Sequence, residues 1–166
     1  EDFLLVRSHY DFQERFGYGI GTHSPPDDPQ FDDLRAEYDS AIDGLPTELW
    51  LSEPLVPTHP IPMGVLYRER YINWGIVRYQ RCVANLYMAG AFDVLSRAYG
   101  DEPYVIIEIG GGYGGLAHHL AKVLPGNPVV LIIDLPELFM FQGPFLQTNN
   151  LGKSVRVYDP LLASDQ

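Results

Sequence analysis

Tyr104-Val-Ile-Ile-Glu-Ile-Gly-Gly-Gly-Tyr-Gly-Gly-Leu-Ala117 is the stretch that decides the fold of this 166-residue chain. An apolar run breaks into glycines and then turns amphipathic, which is the pattern of a strand, a tight turn and a helix. A second apolar run, Val129-Val-Leu-Ile-Ile133, ends on Asp134. Glycines allow close approach of backbone to a ligand, and a helix N-terminus offers free N–H groups. A carboxylate at the end of the next strand can accept from ribose hydroxyls. The segment has the form of a nucleotide-type cofactor site.

Outward from that segment, the chain alternates strand and helix on the C-terminal side. Strands are expected at Tyr104–Ile109, Val129–Ile133 and Ser154–Tyr158. The first two are apolar on both faces, as parallel strands covered by helices on both sides must be. A helix from about Gly114 to Leu124 puts Leu116, Leu120, Val123 and Leu124 on one face and stops at Pro125-Gly126. A further helix starts at Pro136, with Glu137 favoured by the helix dipole, and Gly143-Pro144 is expected to break or kink it.

The N-terminal side reads differently. Residues 1–30 are aromatic-rich and end in the loop His23-Ser-Pro-Pro-Asp-Asp-Pro29. Phe31, Leu34, Tyr38, Ala41 and Ile42 share a helical face over residues 31–43, and Gly44 with Pro46 ends it. Residues 46–62, with Pro46, Pro54, Pro57, Pro60 and Pro62, should cross the surface as an extended connector. Residues 64–99 read as one long helix or two consecutive ones, with Gly75 and Gly90 as candidate breaks. The domain division expected is a mainly helical annex over residues 1–100 and an α/β unit over 101–166.

Charge narrows the function. The net charge of −11 argues against nucleic acid as a partner, because phosphate binding needs a basic surface. The imbalance is local: residues 1–60 hold 13 acidic and 3 basic side chains, whereas residues 61–100 hold 2 and 5. Asp27, Asp28, Asp32, Asp33, Glu37 and Asp39 form a solvated acidic face with no metal-ligand spacing. The arginines at 68, 70, 78 and 81 are placed to offset it, or to grip an acidic acceptor. No apolar run nears the ~20 residues of a membrane span, so no membrane partner is expected. The single cysteine, Cys82, is expected as a buried small apolar residue and fits a reducing, cytoplasmic setting.

Two enzyme classes write glycine loops of this kind. Gly110-x-Gly112-x-x-Gly115 satisfies the dinucleotide fingerprint, which implies an NAD(P)- or FAD-binding oxidoreductase. The same residues also give Glu108-x-Gly110-x-Gly112-x-Gly114, with an acid inside the strand. A carboxylate there would repel a pyrophosphate but attract a sulfonium ligand that carries an amino group. This segment resembles the first motif of class I S-adenosylmethionine-dependent methyltransferases. With Ile133-Asp-Leu-Pro-Glu137, it is similar to a bacterial family of sugar O-methyltransferases. The resemblance covers about residues 100–160.

The resemblance implies a Rossmann-like α/β core and S-adenosylmethionine as cofactor. The acceptor would be a hydroxyl of a sugar or another small polar molecule. Gly110, Gly111, Gly112 and Gly114 would shape the turn beside the methionine moiety and the ribose. Glu108 would anchor that loop and face the ligand's amino end, directly or through water. Asp134 would accept from the ribose hydroxyls, Leu135 would lie against adenine, and Asp159 would hold the adenine amino group. Tyr113 would close over the ligand or pack. His118 and His119 are expected as partly exposed helix residues, and His9, His23 and His59 show no metal spacing. No residue stands out as the base that a hydroxyl acceptor requires.

A class I methyltransferase sheet has further strands, so this chain is expected to be the first part of a longer enzyme. Otherwise a homodimer or a second chain completes its sheet. The annex would cover the cofactor or mediate dimerisation. A non-catalytic module with the same fold is the remaining alternative.

Overall fold

Helical spacing and its stop signals set the first element. The computed structural model describes residues 29–54, 64–149 and 155–156. A 3-10 turn at Pro29–Phe31 leads into α1 (Asp32–Ile42), which buries Leu34, Tyr38, Ala41 and Ile42. Asp32 and Asp33 lie in its first turn, where the helix dipole favours acids. The expected helix over 31–43 is therefore present.

The connector after α1 is more deeply built in than its prolines suggest. Leu49, Leu51 and Glu53 are buried rather than crossing the surface. The Tyr38 hydroxyl donates to Leu51 O at 2.8 Å, and burial pushes its pKa up to about 12. Gln80, fully buried, donates to Leu49 O (3.0 Å) and accepts from Leu51 N (2.6 Å). Extended backbone has no internal partners, so these side chains supply them. Residues 55–63 of the connector lie outside the described residues.

The expectation of continuous helix over 64–99 is corrected. Residues Val65–Tyr67 (β1) and Arg70–Ile72 (β2) form an antiparallel hairpin, with Val65 opposite Ile72 and Tyr67 opposite Arg70. The turn residues Arg68 and Glu69 have φ of 46° and 62°. Hairpin turns of this hand favour Asn and Gly, so the sequence carries no turn signal here. Tertiary contacts hold it instead. Tyr67 donates to Asp39 Oδ2 at 2.9 Å, and the Arg68 guanidinium lies 6.0 Å from the Trp50 ring centre. Arg68 Nε is also 2.8 Å from Asp39 Oδ1, an ion pair by distance whose angle is not that of a hydrogen bond.

Asn73 then caps α2 (Trp74–Met88), its side chain accepting from Ile76 N at 2.9 Å. Gly75 lies within that helix and breaks nothing. Gly90, at φ 75°, does separate α2 from α3 (Ala91–Tyr99). Cys82 is exposed, a further correction: α2 buries Ile76, Val77, Gln80 and Val83, and Cys82 falls off that face. Arg68 and Arg81 pair with Asp39 and Glu37 of α1, so part of the basic segment does offset the acidic one.

The C-terminal part is a parallel strand pair with its crossover helix. The strands β3 (Pro103–Ile109) and β4 (Asn127–Ile133) run in register from Pro103–Asn127 to Ile109–Ile133. Between them lies α4 (Gly115–Val123). Tyr104, Ile106 and Glu108, with Pro128, Val130 and Ile132, turn inward on one face. The opposite face differs from expectation. Val105, Ile107, Ile109, Val129, Leu131 and Ile133 remain 47–81% exposed among the described residues. Apolar residues on both faces are present in the strands, but helices cover only one face here.

A 3-10 turn at Pro136–Leu138 leads into α5 (Phe139–Asn149). Pro144 sits inside this helix and does not end it. An interior proline costs about 3 kcal/mol. Burial of Phe145 and Leu146 beside it opposes that cost, at about 1.5–3 kcal/mol for each fully buried side chain. The expected strand at Ser154–Tyr158 falls mostly outside the described residues, and Val155 and Arg156 carry no regular structure. Asp159 lies outside them too, as do His9, His23 and His59.

The architecture is mixed α/β. Its main core runs through both halves of the chain: Leu34, Tyr38, Ile72, Ile76 and Val83 pack in one cluster with Leu120 of α4 and Leu124 just after it. A smaller cluster of Ala117, Phe145 and Leu146 joins α4 to α5. Among the described residues, no helix is long and apolar enough to cross a membrane.

Candidate functional site

The site forms where the parallel strands end. Gly110 N–H donates to Ile133 O at 2.9 Å, which extends the ladder one residue beyond β3. The chain then turns through three left-handed glycines, Gly110, Gly112 and Gly114. Gly114 N–H donates to Gly111 O at 2.9 Å and closes the turn onto α4. Gly111 is constrained by space rather than by φ: a Cβ there would stand 2.7 Å from Ile132 Cγ2 and 3.3 Å from Glu108 Cδ.

Asp134, one residue past β4, faces this turn. Its Oδ2 accepts from Gly112 N at 2.9 Å, and its Oδ1 accepts from Leu135 N at 2.8 Å. The acid and the glycine loop, 22 positions apart in sequence, thus meet directly. Gln142 of α5 completes the arrangement. Its Nε2 donates to Gly112 O at 2.7 Å and to Asp134 Oδ2 at 2.8 Å. Both partners are acceptors, so only the NH2 end of the amide fits there. Gln142 was not among the residues singled out from sequence. The available signal was a lone polar side chain between Phe141 and Phe145, in the apolar first half of the helix.

Glu108 lies beneath the loop, half-buried on the helix side of β3. Burial pushes its pKa up, and the nearby Asp134 charge adds to the rise. A hydrogen bond from the Ala117 backbone, in the first turn of α4, opposes both. Its Oε2 is buried and has no hydrogen-bond partner among the described residues. A buried orphan acceptor is uncommon and calls for an explanation.

The remaining candidates separate clearly. Tyr113 packs edge-on against Phe145 (4.9 Å) and Tyr79 (6.4 Å). Leu135 is 66% exposed beside Asp134. His118 and His119 are not partly exposed: they are 1% and 5% accessible, against Phe145 and Tyr79 respectively. Interior packing on α4 took both, because α2 and α5 flank that helix. A separate concavity of about 470 Å³ is lined by residues that include Asp39, Asp43, Trp50 and Arg68, with none from the glycine loop. Among the described residues, no group of three His, Cys, Asp or Glu side chains is placed to hold a metal ion.

The geometry offers three things to a ligand at the strand ends: glycine backbone, a carboxylate with spare acceptor capacity, and a second carboxylate below. Comparison with known proteins adds no relative, since no family model, no curated protein and no solved structure matches the chain.

Proposed function

We propose that the chain carries the cofactor site of an S-adenosylmethionine-dependent O-methyltransferase with a Rossmann-like core. Its acceptor is a hydroxyl of a sugar or another small polar molecule. The observation that carries this reading is the Asp134–Gly112 contact, which joins the strand-end acid and the glycine turn in one site. Glu108 and Asp134 lie close enough for the charge of one to shift the titration of the other. Two carboxylates flanking the loop suit a cationic sulfonium with an ammonium group better than a pyrophosphate.

The residues fit that ligand. Gly110, Gly111, Gly112 and Gly114 let backbone approach it, Asp134 takes ribose hydroxyl, and exposed Leu135 offers an apolar surface to adenine. The Glu108 carboxylate, whose buried Oε2 has no hydrogen-bond partner among the described residues, is the counter-charge beneath the loop for the ligand's amino end, reached through water. When bound, S-adenosylmethionine supplies an already activated methyl group. The protein's work is to align the acceptor oxygen and exclude water.

The test is calorimetric titration with S-adenosylhomocysteine, with NADH as control. Saturable binding of S-adenosylhomocysteine alone supports the reading, and binding of NADH alone transfers the site to redox chemistry. Binding of neither, in a folded protein, favours a non-catalytic module.

A further inference from the structure

The hydrogen bonds around Asp134 define how much of its carboxylate a ligand can use. An ionised carboxylate has about four in-plane acceptor positions, two on each oxygen. Oδ2 uses both of its positions, on Gly112 N–H and on the Gln142 amide. Oδ1 uses one, on Leu135 N–H. One acceptor position is left, on Oδ1.

Resting on the cofactor reading above, we infer that Gln142 is a positioning residue that limits Asp134 to a single ribose hydroxyl. A carboxylate free of such a partner could accept from both vicinal hydroxyls, one on each oxygen. Here the second oxygen is closed, and three features keep it closed. Gln142 is 3% accessible, so its amide has little access to water as a substitute partner. The amide also satisfies Gly112 O, so turning it away would cost Gly112 O its bond as well as one of the two bonds on Asp134 Oδ2. Its neighbours Phe145 and Leu146 are buried, which fixes the helix that carries it. The bridge therefore ties three segments, the glycine turn, the end of β4 and α5, into one rigid acceptor.

The consequence is asymmetric recognition. One ribose hydroxyl bonds to a charged acceptor, and the other does not bond to Asp134. Loss of a hydrogen bond to a charged group weakens binding by roughly tenfold to a hundredfold, whereas loss of a solvated hydroxyl changes little.

The experiment is calorimetry of the protein with S-adenosylhomocysteine and with its 2′-deoxy and 3′-deoxy analogues, repeated on Gln142→Met. In the unsubstituted protein, one analogue should lose roughly tenfold to a hundredfold and the other less than about threefold. In Gln142→Met, Oδ2 gains a free acceptor position, so the second analogue should also lose affinity relative to the parent ligand. Equal large losses for both analogues in the unsubstituted protein would overturn the inference and leave the cofactor reading standing. Absence of S-adenosylhomocysteine binding would overturn both. If Gln142→Met does not fold, the titrations of the unsubstituted protein decide alone. A purely structural role for Gln142 would change all three affinities in parallel.

Discussion

Asp134 Oδ2 and Gly112 N lie 2.9 Å apart, so the acid that follows β4 is bonded to the turn that follows β3. The contact holds a left-handed glycine in place and aims a carboxylate across the ends of two parallel strands. Several measurable properties depend on it.

Asp134→Ala removes acceptors for Gly112 N–H, Leu135 N–H and the Gln142 amide together. The site is partly solvated, so water replaces some of them, and the expected loss is about 1–3 kcal/mol in urea unfolding. S-adenosylhomocysteine affinity should fall further than stability does. A variant of unchanged affinity would remove Asp134 from the ligand site.

Gly111→Ala and Gly112→Ala should separate crowding from backbone strain. At Gly112 a Cβ meets nothing within 4 Å, but φ is +58°, so the cost is about 1–2 kcal/mol. At Gly111 φ is ordinary, but the Cβ would overlap Ile132 Cγ2 at 2.7 Å. Overpacking against the sheet costs about 1–3 kcal/mol and displaces Ile132. Chemical denaturation of both variants, with S-adenosylhomocysteine titration, checks this. The Gly111 variant should lose more ligand affinity, because its relief moves the strand end.

Glu108→Gln should stabilise the protein at neutral pH. Burial raises the folded-state pKa of Glu108 above its ordinary 4.5. Between the unfolded and folded values the native state then binds more protons, so Glu108 makes stability fall as pH rises through that window. Glutamine does not titrate, and its carbonyl can still accept from Ala117 N–H. Melting temperatures of the two proteins should diverge from pH 4 upward, with the variant higher. In the same variant S-adenosylhomocysteine should bind more weakly, and tighter NADH binding instead would sink the methyltransferase reading.

Gln80→Leu tests the anchoring of the connector. It leaves Leu49 O and Leu51 N, both partners of buried Gln80, without their bonds. The expected cost is about 2–4 kcal/mol in urea unfolding. A cost under about 0.5 kcal/mol would mean that the connector is held without the Gln80 bonds, by its apolar side chains and the Tyr38 hydroxyl on Leu51 O.

Periodicity and punctuation were enough for the elements that stabilise themselves locally. The α1 face, the Gly90 break, β3, α4, β4 and the Pro136 start are all legible, because their signals lie within a few residues of the effect. Asp134 and the glycines were legible for the same reason: special backbone needs special residues. The hairpin at Val65–Ile72 was not. Its turn residues Arg68 and Glu69 adopt left-handed backbone without a glycine or asparagine to mark it, and Asp39 and Trp50, from earlier segments of the chain, hold the Arg68 side chain. Pro144 reads as a helix breaker, yet the burial of Phe145 and Leu146 carries the helix through it. His118, His119 and Cys82 depended on which helix faces meet, and no local pattern encodes that. Sequence alone determined that a strand-end acid and a glycine turn would exist. Only the tertiary structure decided that α5 would bring Gln142 between them, because a single amide can bond two acceptors only after packing has set all three at hydrogen-bond distance.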